Sequence, residues 1–245
     1  MKTIWYPTLD STNSEALRQL DKWAHLTVIA AREQTAGRGQ RGNTWFSQPG
    51  KNLTFSIVCK WQPGWLKAAD AHWLNYAISE AVALFLRSWG IACSIKWPND
   101  IYVGRHKICG ILIENTLQED WVSASVVGVG LNVNQQEFPQ VAGATSLWRC
   151  LGRECDLEES LQRVVGAFEK NLPMLETAEQ RESLFRSYSH HLFQRDINAR
   201  YHDYLEDRVY VGILRGVEPD GRLHIDDLDA HQARFYRFKE VGFVL

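Results

Sequence analysis

Long apolar runs are what this 245-residue chain most plainly lacks, since none approaches the roughly 18–20 residues that cross a bilayer. The N-terminal stretch, MKTIWYPTLDSTNSEAL, has no apolar core of signal-peptide length. Cysteine is sparse and unpatterned. Cys59, Cys93, Cys109, Cys150 and Cys155 are an odd number without Cys-x-x-Cys spacing, so neither a disulfide framework nor a zinc site is indicated. An excess of one charge is lacking too. A net charge of -2 gives no bulk attraction to DNA, RNA or an anionic membrane. The simplest expectation is a cytoplasmic protein. Hydrophobic content of 45% and charged content of 23% are ordinary for a globular chain, and the length suits one large domain, or one domain plus a small appendage.

What is present reads as α+β. A short apolar run, Thr3 to Tyr6, leads into Asp10-Ser11-Thr12-Asn13, where Ser and Asn suit a helix entry. Leu26 to Ala31 is a short strand feeding a glycine-bearing loop. Leu53, Phe55, Ile57, Cys59 and Trp61 alternate with Thr54, Ser56, Val58 and Lys60, which predicts a strand with one buried face. Trp73, Ala77, Ile78, Ala81, Val82 and Phe85 predict a long amphipathic helix that stops at Gly90. Ile101 to Val103 and Ile108 to Glu114 form a hairpin across Gly104-Arg105-His106, and Trp121 to Val129 is a further strand. Residues 156–193 read as helical, broken at Pro173. From 196 onward, short alternating strands and the Asp220-Gly221 turn suggest a small barrel. The expected division is therefore 1–195 and 196–245.

Two segments carry chemistry. In the loop from Glu33 to Trp45, Gly37, Gly39 and Gly42 bare the backbone while Arg38 and Arg41 add fork-shaped donors for carboxylate or phosphate. A solvated surface loop is an equal reading of RGQRG alone. No P-loop pattern occurs, and Gly128-Val129-Gly130-Leu131-Asn132 lacks the third glycine of a dinucleotide motif. Lys96-Trp97-Pro98-Asn99-Asp100 is sound turn chemistry that leaves Lys96 unexplained. Lys107 is, by residue type, first an edge-strand gatekeeper and second a mobile charge for a phosphate.

In this order, these residues resemble the biotin protein ligases, also called biotin–[acetyl-CoA-carboxylase] ligases. Asp10-Ser11-Thr12-Asn13, Gln34-x-Ala-Gly-Arg-Gly-x-Arg-Gly42 with Trp45, Lys96-Trp-Pro-Asn-Asp100 with Lys107 and Gly110, and Gly130-x-Asn132 match the family pattern over residues 8–135. The resemblance implies a mixed sheet backed by helices, similar to class II aminoacyl-tRNA synthetases, then an SH3-like barrel. It implies activation of biotin by ATP with Mg²⁺, as biotinyl-5′-AMP, and transfer to a lysine of a biotin carboxyl carrier domain. By the same resemblance Lys107 and Arg38 are catalytic. Ser11, Thr12, Asn13, Gln34, Gly37, Arg38, Gly39, Gln40, Lys107 and Gly110 bind biotin. Arg38, Arg41, Trp45, Lys96, Asn99, Asp100, Lys107 and Asn132 bind ATP or the adenylate.

Gln40 departs from the family, which commonly carries a second arginine there. The Asp10 motif starts so near the N-terminus that no DNA-binding domain, and so no repressor role, is expected. Because every ligand motif precedes residue 135, the C-terminal segment is expected to stand clear of biotin. An exposed strand near Trp121 would suit a homodimer. Lipoate–protein ligase and a non-catalytic biotin-binding protein are the rival readings.

Overall fold

The computed structural model describes residues 1–245, apart from the side chain of Arg41. A seven-stranded sheet runs in the order β1-β2-β3-β7-β6-β5-β4. Its strands are β1 (Thr3–Leu9), β2 (Thr27–Gln34), β3 (Leu53–Lys60), β4 (Ser94–Lys96), β5 (Asp100–Val103), β6 (His106–Gln118) and β7 (Trp121–Leu131). Only β1 and β2 pair in parallel; the other ladders are antiparallel. This is the mixed sheet that the resemblance to biotin protein ligases implies.

Helices α2 (His72–Arg87), α4 (Leu157–Asn171) and α5 (Ala178–His190) back one face, while α1 (Thr12–Arg18) covers part of the other. A short α3 (Leu147–Leu151) lies between β7 and α4. Helix α2 is less amphipathic than its sequence suggests. Ser79 and Glu80 are buried along with its apolar residues, because α4 and α5 flank it against the sheet. Asp156 and Thr177 cap α4 and α5 by accepting from Glu159 N and Gln180 N, and Pro173 sits in the turn between them.

Strand β3 corrects the one-faced expectation. Seven of its eight residues are buried, including Thr54, Ser56 and Val58. Val58 packs with Ala16, Ile29 and Val126 in a second small core beneath α1. The two hydroxyls are buried because they are bonded: Thr54 Oγ1 donates to Ala31 O at 3.0 Å, and the Ser56 hydroxyl lies 2.8 Å from Thr12 Oγ1 and 2.6 Å from Asn13 Oδ1. Alternation in polarity marked two faces here, but both face protein.

The strand near Trp121 is also not an edge. Strand β7 lies between β3 and β6, and Val122 N donates to Leu66 O. The sheet's outer strands are β1 and β4.

A separate antiparallel sheet closes the chain in the order β11-β10-β9-β8-β12. Its strands are β8 (Asn198–Asp203), β9 (Arg208–Val217), β10 (Leu223–Asp227), β11 (Gln232–Tyr236) and β12 (Val241–Val244). Strands β8 and β11 escaped the sequence reading because Asp203 and Arg234 stand among their inward positions, beside the buried Tyr201 and Tyr236. Asp203 and Asp227 are buried, and Arg234 reaches them at 3.2 and 2.7 Å. Tyr236 Oη donates to Asp203 Oδ2 at 2.8 Å. Among the described residues no helix is long and apolar enough to cross a membrane.

Ser56→Ala should destabilise the fold by about 1–3 kcal/mol, because it leaves Asn13 Oδ1 and the Thr12 hydroxyl buried with one partner fewer. Urea unfolding measures this directly. A loss below about 0.5 kcal/mol would mean the hydroxyl is not an essential partner there.

Candidate active site

Glycine at alternate positions of β7 lets two elements lie on the bare sheet. A Cβ at residue 128 would stand 2.8 Å from Asn13 Cγ, and one at 130 would stand 2.6 Å from Trp45 Nε1. Asn13 and Trp45 therefore rest directly on the strand.

Ser11 caps α1 and is buried with Thr12 and Asn13. Thr12 N donates to Gln34 Oε1 at 2.7 Å, tying this entry to the end of β2. Asn13 Nδ2 donates to Leu112 O at 3.2 Å and to Glu114 Oε2 at 2.9 Å. Just outside, Arg18 grips both Asp10 oxygens at 2.6 and 2.8 Å and holds the Asp10 carboxyl at about 2, below its ordinary 3.8.

The glycine-bearing loop forms a small hairpin. Trp45 N donates to Gly37 O at 2.9 Å and Gly39 N to Asn43 O at 2.7 Å, with Gly42 at φ +77° in the turn. Arg38 is not free in that hairpin. Its Nη1 and Nη2 donate to Glu114 Oε2 and Oε1 at 3.1 and 2.7 Å.

The Lys96–Asp100 turn is pinned from both sides. Pro98 O accepts from Asn75 Nδ2 and, at 2.8 Å, from Tyr188 Oη. Asn99 exchanges bonds with the Ile111 backbone, accepting from Ile111 N at 3.1 Å and donating through Nδ2 to Ile111 O. Lys96 Nζ stands 3.4 Å from Tyr102 Oη and 5.4 Å from the Phe243 ring centre. Burial there lowers the Lys96 pKa; Asp100 opposes the shift and Lys107 adds to it.

Lys107 corrects the gatekeeper expectation, because β6 is an interior strand. The β5–β6 ladder pairs Ile101 with Cys109 and Tyr102 with Lys107, so Ile108 is the extra residue of a bulge. That extra residue re-aims Lys107 onto the face of Gly110, where a Cβ would be 3.2 Å from Lys107 Nζ. The ammonium pairs with Asp100 Oδ1 at 2.7 Å and lies 5.7 Å from the Trp45 ring centre.

These parts surround one cavity of about 350 Å³. Ser11, Thr12, Asn13, Gln34, Arg38, Gly39, Gln40, Trp45, Lys96, Asn99, Asp100, Lys107 and Gly110 line it. Gly37 and Asn132 are not among the described lining residues, and the Arg41 side chain lies outside the described residues. Asn132 is buried, with Nδ2 donating to Thr145 O at 2.9 Å. Its Oδ1 and Trp45 Nε1 are both buried without a hydrogen-bond partner among the described residues.

The C-terminal sheet does not stand clear. Tyr204, Phe238, Val241, Gly242 and Phe243 join the same wall, where Phe243 faces Lys96. Nothing in their spacing marks them for a site; they reach it only through the packing of the two sheets. Glu114 carries no local signal either; two residues after Leu112 on β6, it meets Arg38 and Asn13 behind the cavity wall.

A family model described as the Biotin/lipoate A/B protein ligase family matches residues 5–132. The chain is 34% identical over 172 residues to the bifunctional ligase/repressor BirA of Bacillus subtilis, covering 68% of this chain and 52% of that protein. It is 34% identical to the biotin--[acetyl-CoA-carboxylase] ligase of Paracoccus denitrificans, covering 69% and 72% of the two chains. The chain spans about half the length of the first of these relatives. The solved biotin protein ligase of Aquifex aeolicus in complex with biotin and ATP superposes with a TM-score of 0.78 at 25% identity, over 98% of this chain and 97% of that one.

Because Arg18 depresses the Asp10 pKa, the pair should stabilise the folded chain fully above the ordinary carboxylate range. That contribution should fade as pH falls from about 3.8 to about 2. Arg18→Met should return the Asp10 titration, followed by carboxyl NMR, toward 3.8. A titration still centred near 2 would show that Arg18 is not the cause.

Proposed function

The chain belongs to the biotin/lipoate A/B protein ligase family, and we propose that it is an ATP-dependent biotin–protein ligase. In the first step a biotin carboxylate oxygen bonds to the α-phosphorus of ATP and the bond to pyrophosphate breaks, giving biotinyl-5′-AMP. In the second, the amine of a carrier lysine bonds to the acyl carbon and AMP leaves, while the amine sheds its proton to solvent. The carrier proposed is the biotin carboxyl carrier domain of acetyl-CoA carboxylase, and the setting the cytoplasm.

One observation carries the reading: three cations, Arg38, Lys96 and Lys107, share a single cavity with the Trp45 ring and a row of neutral polar groups. Bringing a carboxylate to a triphosphate is costly unless fixed positive charge is already in place. Lys107, half-exposed and movable about its pair with Asp100, suits the junction of carboxylate and α-phosphate. Arg38 would hold the same anions. Ser11, Thr12, Asn13, Gln34, Gly39 and Gly110 offer uncharged partners and bare backbone to the ureido ring. Gly37 would assist by shaping the loop behind Arg38. Trp45 presents an aromatic face to adenine, and the unpartnered Trp45 Nε1 and Asn132 Oδ1 offer one donor and one acceptor. Lys96, Asn99 and Asp100 would border the nucleotide, with Arg41 assigned to its phosphates. Gln40 lines the cavity as a neutral amide, one charge-assisted donor fewer than an arginine there.

Among the described residues no group of three or more His, Cys, Asp or Glu is placed to hold a metal, and the cavity's Asp100 is engaged by Lys107. Mg²⁺ is assigned to the ATP phosphates as part of the substrate. The division into residues 1–195 for chemistry and 196–245 as a smaller unit remains part of the proposal, with the second unit contributing to the wall. A homodimer is compatible with it.

Labelled biotin, ATP and a carrier domain test the whole reading. Label should appear on one carrier lysine. Preference for lipoate would place the chain in the other branch of its family, and tight binding without transfer would make it a biotin-binding protein.

Lys107→Ala should fold normally and lose adenylate formation by about a hundredfold or more, the scale of one charge-stabilising donor at roughly 3 kcal/mol. Pyrophosphate release near the wild-type rate would remove Lys107 from the reaction.

A further inference from the structure

Glu114 lies on the same side of β6 as Gly110 and Leu112, yet it is not among the described residues that line the cavity. What it touches is the machinery around the cavity. Both of its oxygens accept from Arg38, and Oε2 also accepts from Asn13 Nδ2. Asn13 is held in turn by Ser56, whose hydroxyl donates to Asn13 Oδ1 at 2.6 Å. A continuous chain of bonds thus runs from the middle of β3, through α1 and β6, to the glycine-bearing loop.

The two ends of that chain differ in kind. Ser56 and Asn13 are buried and belong to the rigid sheet and its covering helix. The Arg38 side chain is 44% exposed and rises from a hairpin whose turn is Gln40-Arg41-Gly42. An exposed arginine on such a loop has many rotamers to lose before it can grip an anion. Glu114 fixes one of them in advance. It uses one N–H on each terminal nitrogen and leaves the Nε–H and the second hydrogen of each Nη for another acceptor.

We propose that Glu114 is a positioning residue: its carboxylate anchors Arg38, and with it the loop, against Asn13, and so slows escape of the carboxyl–phosphate intermediate. This rests on the ligase reading above. The opposite effect is physically coherent, since a fixed carboxylate also competes with an anionic ligand for the same guanidinium. The sign therefore decides the matter.

Glu114→Gln keeps the shape and removes the charge. Two ligands separate anchoring from general loosening: biotinyl-5′-AMP, which carries the anionic junction, and biotinol, a neutral alcohol that lacks it. Biotinyl-5′-AMP should dissociate at least tenfold faster from the variant in stopped flow, while the dissociation constant of biotinol stays within twofold of wild type. Glu114→Asp, which keeps the charge, should fall between the two, and it serves in place of the amide variant if that one does not fold. Slower dissociation of the adenylate would make Glu114 a competitor. An unchanged rate, or equal weakening of both ligands, would leave it a structural side chain; each of these results overturns the proposal. If the wild-type protein binds neither ligand, the ligase reading itself has failed, a result distinct from any of these.

Discussion

Close approach to one strand is the constraint on which the rest of this site depends. Gly128 and Gly130 leave a bare strip along β7, and only that strip lets Asn13 and Trp45 lie against the sheet. A side chain at either position would lift α1 or the loop hairpin away. The glycine-bearing loop would then lose its seat, and Arg38 its distance to Glu114. The strip is therefore the floor on which the entry of α1, the loop and the bulged strand β6 are set against each other. Asn99 donating to Ile111 O, and Pro98 O accepting from Tyr188 Oη, fix the remaining wall. A preorganised cavity results, and positive charge inside it needs little rearrangement when anions arrive.

That charge is kept in check by two carboxylates. Asp100 pairs with Lys107, and Glu114 pairs with Arg38, so each cation has a partner before any reactant enters. Lys96 differs. Burial works against its ammonium, and Tyr102 and Phe243 border it closely. A cation in such a setting gains most from a nearby phosphate, because little water competes for it. The same wall contains residues from the C-terminal sheet, which makes that sheet part of the site's dielectric boundary.

Much of this was legible before the structure. Strands β1, β2, β3, β5, β6 and β7, helix α2, the entry at Ser11 and the hairpin at Gly104 follow from turn chemistry and periodicity. Strand β4 was hidden in the Lys96 turn, and the clustering of Lys96, Lys107 and Arg38 came only from the family resemblance. The failures have physical causes. Thr54 and Ser56 look like a solvent face, yet both are buried, Thr54 bonded to β2 and Ser56 to the start of α1. Lys107 looks like an edge residue because the sequence does not show that β6 lies inside the sheet, nor the one-residue bulge that turns Lys107 toward Gly110. Strands β8 and β11 were hidden by inward-facing Asp203 and by Arg234, whose ion network with Asp227 interrupts the row of buried Tyr201 and Tyr236. Phe243 and Tyr204 join the cavity through the packing of one sheet against another, a long-range event without a local signal. Glu114 was missed because its partners, Asn13 and Arg38, lie 101 and 76 residues away.

The central claim is that one cavity holds a carboxylate and a nucleotide so that the α-phosphorus, and no other, is attacked. Mass spectrometry of the products formed from biotin and ATP, with no carrier present, tests it most directly. Biotinyl-5′-AMP retained on the protein, together with an equal amount of pyrophosphate, is the expected result. Formation of ADP and phosphate, or of no biotin-dependent product, would contradict it.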